Sequence, residues 1–214
     1  MNYKIKLYKT KNEDWSTKAY VSLTFAGAFT VTGITIRQGK NGNMFVSMPS
    51  YKTSKVDDYG NPEYKEFCNP TTKEFRDELN KNILEAYKKD ASEINVKDGS
   101  ENLNYEVSLN LVSNCGANVE AIGRIYIEKC FVINNVRVIN SDKGSFVAMP
   151  SQLSNRTNED GKPVYDDIAF PITKEFRTEL YDKILKEKDN MVQKTHEEFV
   201  AMDEEIQKQW TPFR

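Results

Sequence analysis

Phe45-Val46-Ser47-Met48-Pro49-Ser50 returns further along the chain as Phe146-Val147-Ala148-Met149-Pro150-Ser151, and Thr72-Lys73-Glu74-Phe75-Arg76 returns unchanged as Thr173-Lys174-Glu175-Phe176-Arg177. The two echoes share one offset, since 149 minus 48 and 173 minus 72 both give 101. A repeat at fixed spacing makes each copy one structural unit. Upstream the offset is 102: Ala19, Leu23, Phe25, Phe29, Val31 and Ile34 meet Ala121, Ile125, Ile127, Phe131, Ile133 and Val136. The first copy therefore carries one extra residue between Arg37 and Phe45. A slip of one inside a strand would turn every later side chain to the wrong face, so the extra residue belongs to a turn. Gly39-Lys40-Asn41-Gly42-Asn43 has the composition of one.

A chain of 214 residues suits one large domain or two small ones, and the repeat decides for two. We read residues 1-90 as the first repeat, 91-103 as a linker, 104-190 as the second repeat and 191-214 as a helical extension. In each repeat, alternating apolar residues predict an antiparallel meander. Its strands cover Tyr3 to Tyr8, Ala19 to Phe25, Phe29 to Arg37 and Met44 to Met48, then 104-111, 119-127, 130-139 and 145-149. Pro49 and Pro150 stop the fourth strand. A long polar loop follows, Ser50 to Pro62 in the first copy, with a fifth strand possible at Glu63 to Phe67.

The helix of the first copy opens at Pro70-Thr71-Thr72-Lys73-Glu74, with Thr71 as cap and Glu74 completing a capping box. Phe75, Leu79, Ile83, Ala86 and Tyr87 recur at helical spacing and face the sheet. In the second copy no stop signal follows Leu185, so a stripe of Met191, Val192, Phe199, Met202 and Ile206 carries that helix to about Gln209. The fold class expected is α+β: two fused units of four to five strands and a C-terminal helix each, plus a helical tail.

Net charge is -2, yet it is unevenly placed. Residues 1-90 hold 15 Lys and Arg against 11 Asp and Glu, whereas 104-190 hold 11 against 13. Phosphate attraction follows local charge, so the first copy is the better face for a polyanion. The odd cysteines Cys68, Cys115 and Cys130 form no CxxC pair and suggest free thiols in a reducing compartment. No apolar stretch reads as a signal peptide or membrane span, and a cytoplasmic location is expected.

Catalysis is not expected. A nucleophilic Ser50 or Ser151 needs a positioned base, and the one histidine, His196, lies outside both repeats. One histidine and scattered cysteines offer no metal set, and no phosphate-binding glycine loop occurs, so no cofactor, metal or small-molecule substrate is expected.

Each copy resembles the SpoVG family of bacterial septation regulators. The resemblance is carried by Asn135-Val136-Arg137-Val138-Ile139, Gly144 through Ser151, Asp167-Ile168-Ala169-Phe170-Pro171-Ile172 and the helix after it, and in copy one by Ile34 to Arg37, Met44 to Ser50 and Asn69-Pro70. It implies small cytoplasmic proteins of one such unit that dimerise through their sheets, bind DNA and RNA, and influence septation or sporulation. A tandem copy then implies a dimer fused into one chain. It also implies nucleic-acid contacts at Lys52, Lys55, Lys73 and Arg76 in copy one and Lys174 and Arg177 in copy two. Where the family has a basic pair after Met-Pro-Ser, copy one has Tyr51-Lys52 and copy two Gln152-Leu153, with acidic Asp166-Asp167 nearby. The alternative is a protein-interaction module that keeps the fold without nucleic acid and engages a partner, or a second copy of itself, through residues 191-214.

Overall fold

The structure, a computed structural model, describes residues 1-11, 16-99, 102-112 and 118-209. The first meander consists of β1 (Tyr3–Lys9), β2 (Thr17–Phe25), β3 (Phe29–Gln38) and β4 (Met44–Ser47). A second hairpin, β5 (Ser50–Val56) with β6 (Pro62–Glu66), precedes the short β7 (Cys68–Pro70), α1 (Lys73–Lys88) and β8 (Glu93–Val96). The other copy repeats this as β9 (Tyr105–Leu111), β10 (Val119–Ile127), β11 (Phe131–Ser141), β12 (Gly144–Ala148), β13 (Ser151–Thr157), β14 (Pro163–Asp167), β15 (Ala169–Pro171) and α2 (Lys174–Gln209).

The extra residue falls in the turn, as the register required. Gly39 N–H donates to Asn43 O at 2.9 Å and Gly42 takes φ +81°, whereas the second copy turns through Asp142-Lys143 between β11 and β12. The three-residue β2–β3 turn has left-handed Ala26 and Gly27, and its counterpart Glu128 and Lys129, the hand that a tight hairpin turn favours. Further on, Gly33 (φ +75°) and Asn135 (φ +62°) sit in matching bulges 102 residues apart.

The two copies are not separate. β7 of the first copy pairs with β11 of the second (Phe131↔Pro70, Ile133↔Cys68), and β15 pairs with β3 (Phe29↔Pro171, Val31↔Ala169). The strand exchange is reciprocal. Backbone contacts around it match as well: Asn134 N donates to Phe67 O and Thr32 N to Ile168 O, both at 2.7 Å. One apolar core spans both halves, and the helix phenylalanines cross over. Phe75 meets Phe131 edge-on at 6.3 Å, Phe176 meets Phe29 at 6.4 Å, and Phe25 lies 5.1 Å from Phe131 between the sheets. Burying such rings contributes on the order of 2 kcal/mol each in apolar transfer.

Three expectations need correction. The stretch from Ser50 to Pro62 is not a loop but most of a β-ribbon, because Tyr51, Lys52 and Val56 find backbone partners in Lys65, Tyr64 and Pro62. The linker holds a strand: β8 adds to the edge of β1, with Ile94 opposite Ile5. The helix cap is Thr72, whose hydroxyl accepts from Phe75 N at 3.3 Å, while Thr71 instead donates to Lys129 O across the copies at 3.1 Å. Glu74 therefore completes no capping box. Phe75, Leu79, Ile83 and Ala86 are the buried face of α1, as the spacing predicts.

Candidate nucleic-acid interface

Each ribbon rises from the exchange point of its own copy. In the first, the tip is fastened by Asp57, whose carboxylate accepts from Tyr59 N (2.9 Å), Asn61 N (2.8 Å) and Asn61 Nδ2 (3.1 Å). The Asn61 amide, more than any other partner, holds the Asp57 carboxyl below its ordinary range. The second ribbon uses Asn158 at the same place, accepting from Asp160 N and Lys162 N.

Lys52 and Lys55 stand exposed along β5, with no ion-pair partner among the described residues. Their counterparts are not equivalent. Leu153 replaces Lys52, and Arg156, which replaces Lys55, is bound to the Asp166 carboxylate and to Ser154 Oγ. An ion pair within the ribbon withdraws that guanidinium from a phosphate. Part of the first copy's positive excess is also offset, because Glu93 of β8 lies 3.1 Å from Lys4 and 3.9 Å from Lys6.

Lys73 and Lys174 open the two helices and are exposed. Arg76 and Arg177 have a different setting. Arg76 Nη2 donates to Pro70 O at 2.9 Å and Arg177 Nη2 to Pro171 O at 3.2 Å, so each guanidinium ties its helix to the exchanged strand before it. Arg76 also lines a small cleft with Glu66 and Asn80 at the foot of the first ribbon. The structure thus gathers Lys52, Lys55 and Arg76 along one ribbon and its base; Lys174 and Arg177 belong to the pseudo-equivalent face of the other copy.

Strand exchange builds something the sequence reading does not contain. The first ribbon stands over the outer face of β9 to β11 of the second copy, and between them runs an open groove of about 750 Å³. The ribbon contributes Tyr51, Tyr64 and Lys65; the sheet contributes Asn110, Arg124 and Asn135. Tyr51 is held by Phe67, ring centroids 4.7 Å apart, whereas Tyr64 is 62% exposed. Asn134 spans the gap, donating to Glu66 O at 3.1 Å. The signal for Arg124 was its difference from its repeat equivalent, Ser22, but only the exchange says that it faces Lys65.

Among the described residues no group of three or more His, Cys, Asp or Glu side chains could hold a metal. Burial raises the thiols of Cys68 and Cys130; Cys115 and the end of the tail, Trp210 to Arg214, lie outside the described residues. No helix among the described residues is long and apolar enough to cross a membrane.

A family model described as SpoVG matches this chain twice, over residues 1-89 and 104-190. Curated relatives bearing the name septation protein SpoVG agree. One from Borreliella burgdorferi is 39% identical over 74 residues, which are 35% of this chain and 70% of the relative. One from Treponema denticola is 38% identical over 82 residues (38% and 80%), and one from Staphylococcus aureus 36% identical over 81 (38% and 74%).

Proposed function

The chain belongs to the SpoVG family in both of its halves, and on that premise we propose that it is a nucleic-acid-binding regulatory protein acting in septation or sporulation. The process is suggested by the relatives' name. The observation that carries the binding is the first ribbon, where Lys52 and Lys55 are exposed without ion-pair partners among the described residues, and Lys73 at the helix start is exposed as well. Ammonium groups so placed meet backbone phosphates and release counterions, which makes affinity fall steeply with salt. No catalytic step is part of this reading.

Fluorescence anisotropy with labelled duplex DNA, single-stranded DNA and RNA at low and physiological salt tests it. Lys52→Glu with Lys55→Glu and Lys73→Glu is expected to weaken binding at least about tenfold and to flatten the salt dependence. Absence of binding to all three at low salt overturns the proposal.

A second reading has its own support. Val192, Phe199, Val200 and Met202 are exposed along α2, an apolar series suited to a protein partner. Deleting 191-214 would abolish such an interaction and leave nucleic-acid binding intact.

A further inference from the structure

We propose that the groove between the first ribbon and the second sheet seats one single strand of nucleic acid, and that the chain offers one such seat, not two. The inference rests on the nucleic-acid reading and adds to it the form of the ligand, its place and its stoichiometry.

The form follows from what lines the groove. Arg124 supplies an exposed guanidinium whose side chain has no hydrogen bond or ion pair among the described residues, and Lys65 adds a cation from the opposite wall, 4.0 Å from Glu63. The side-chain amides of Asn110 and Asn135 are likewise without protein partners among those residues. An amide both donates and accepts, which matches the edge of an unpaired base; in a duplex that edge is spent on the opposite strand. Tyr64 offers an exposed ring and Ile122 an exposed apolar side chain on the facing sheet, a setting for stacked base faces that only a single strand presents. A surface built only for duplex phosphates would need the cations and neither the amides nor the ring.

The count follows from the repeat. The backbone around the second groove is equivalent, since Thr32 Oγ1 donates to Asp167 O at 2.9 Å where Asn134 donates to Glu66 O. Its chemistry is not. In the order of the repeat, Arg124 becomes Ser22, Lys65 becomes Asp166, Glu66 becomes Asp167, Asn110 becomes Tyr8 and Asn135 becomes Gly33. With Lys65 lying 4.0 Å from Glu63 and Asp166 held by Arg156, the difference that remains is the unpaired Arg124 beside Glu66 on one side against Ser22 beside Asp167 on the other. A phosphate chain approaching the second groove meets the Asp167 carboxylate without the cation that Arg124 supplies in the first. The duplicated scaffold has kept two equivalent frames and only one seat.

The test uses the full chain with fluorescein-labelled 12-residue oligonucleotides: mixed-sequence single-stranded DNA, the same sequence as RNA, and its duplex. Expected are tighter binding of a single strand than of the duplex and one strand bound per chain at saturation. Tyr64→Ala and Arg124→Ala, both at exposed positions, should each weaken single-strand binding about five- to fiftyfold, in line with one stacked base or one charge-assisted contact. Tyr165→Ala, at the equivalent place on the second ribbon, should bind as the parent does. Unchanged melting temperatures establish that the variants fold. The DNA and RNA arms identify the natural sugar. Two strands per chain, equal affinity for duplex, or full binding by the Tyr64 and Arg124 variants would overturn the inference. If those variants bind normally while the Lys52, Lys55 and Lys73 charge reversals do not, the groove fails and the nucleic-acid reading stands; no binding by the parent removes both.

Discussion

Tyr3 and Tyr105, 102 residues apart, do the same task with an equivalent carboxylate each and a different second partner. Tyr3 O–H donates to Glu78 at 2.7 Å and accepts from Asn82 at 2.7 Å; Tyr105 O–H donates to Glu179 at 2.9 Å beneath Lys183, whose ammonium lies 4.2 Å from the ring centre. Burial, then the neighbouring carboxylate, raises both phenols above their ordinary value near 10. A raised folded value means that the stability from these protons is complete below the unfolded value and is lost as pH climbs past about 10. Tyr3→Phe with Tyr105→Phe should therefore cost about 1 kcal/mol per hydroxyl at neutral pH, and the deficit should shrink between about pH 10 and 11. Thermal melts across that range decide the matter, and curves that stay parallel would show that the hydroxyls titrate freely. Arg76 and Arg177 teach a related lesson at this scale. Their recurrence suggests a binding pair, and the geometry gives each a bond to a proline carbonyl on the exchanged strand.

Among the elements, α2 is the one that outgrows its copy. Its 36 residues span roughly 54 Å at the rise of an α-helix. Leu180 and Ile184 are buried and Met191 still touches the core, but every residue from Val192 to Met202 is exposed. There the helix is held by its own bonds, such as Gln193 to Glu197 at 2.8 Å and Thr195 Oγ1 to Met191 O at 2.9 Å. Ending the chain after Met191 should change the free energy of unfolding by no more than about 0.5 kcal/mol, the usual range for surface changes. A shift of about 2 kcal/mol or more in denaturant titration would mean that the tail packs on the body. The short exchanged strands behave in the opposite way. β7 and β15 have three residues each, yet their Cys68 and Ala169 side chains are fully buried, and each closes the edge of the other copy's sheet.

For the molecule as a whole, the exchange makes a second unit necessary, fused or separate. Neither copy can cover β3 or β11 with its own short strand while that strand lies on the other sheet. Residues 104-209 expressed alone should therefore form a homodimer in which each β15 pairs with its partner's β11. Its melting temperature should rise with protein concentration, and that of the full chain should not, because the join makes pairing intramolecular. Analytical ultracentrifugation gives the answer directly; a folded monomer would show that β15 can return to its own sheet. The same join frees the copies to diverge. A homodimer must carry two identical grooves, and here Arg124 and Lys65 face each other on one side while Ser22 and Asp166 are their equivalents on the other.

The sequence by itself determined the number of copies, the α+β class, the eight meander strands, the buried face of α1 and the run of α2 through the tail. These rest on local periodicity: a side chain two residues on in a strand, or three to four on in a helix, shares its neighbour's face whatever the rest of the chain does. Lys52 and Lys55 were named through the family resemblance alone, because a polar segment without an apolar pattern has no period to read. Only the tertiary structure decided that this segment is a ribbon, that Glu93–Val96 is an edge strand, and that Cys68-Asn69-Pro70 crosses to the other sheet. A three-residue strand has no period to read, and its backbone bonds can be satisfied by either copy's edge at equal local cost. Arg124 was illegible as a groove residue on the same account. It is 59 residues from Lys65 in the chain, and only the choice of partner sheet puts the two on facing walls.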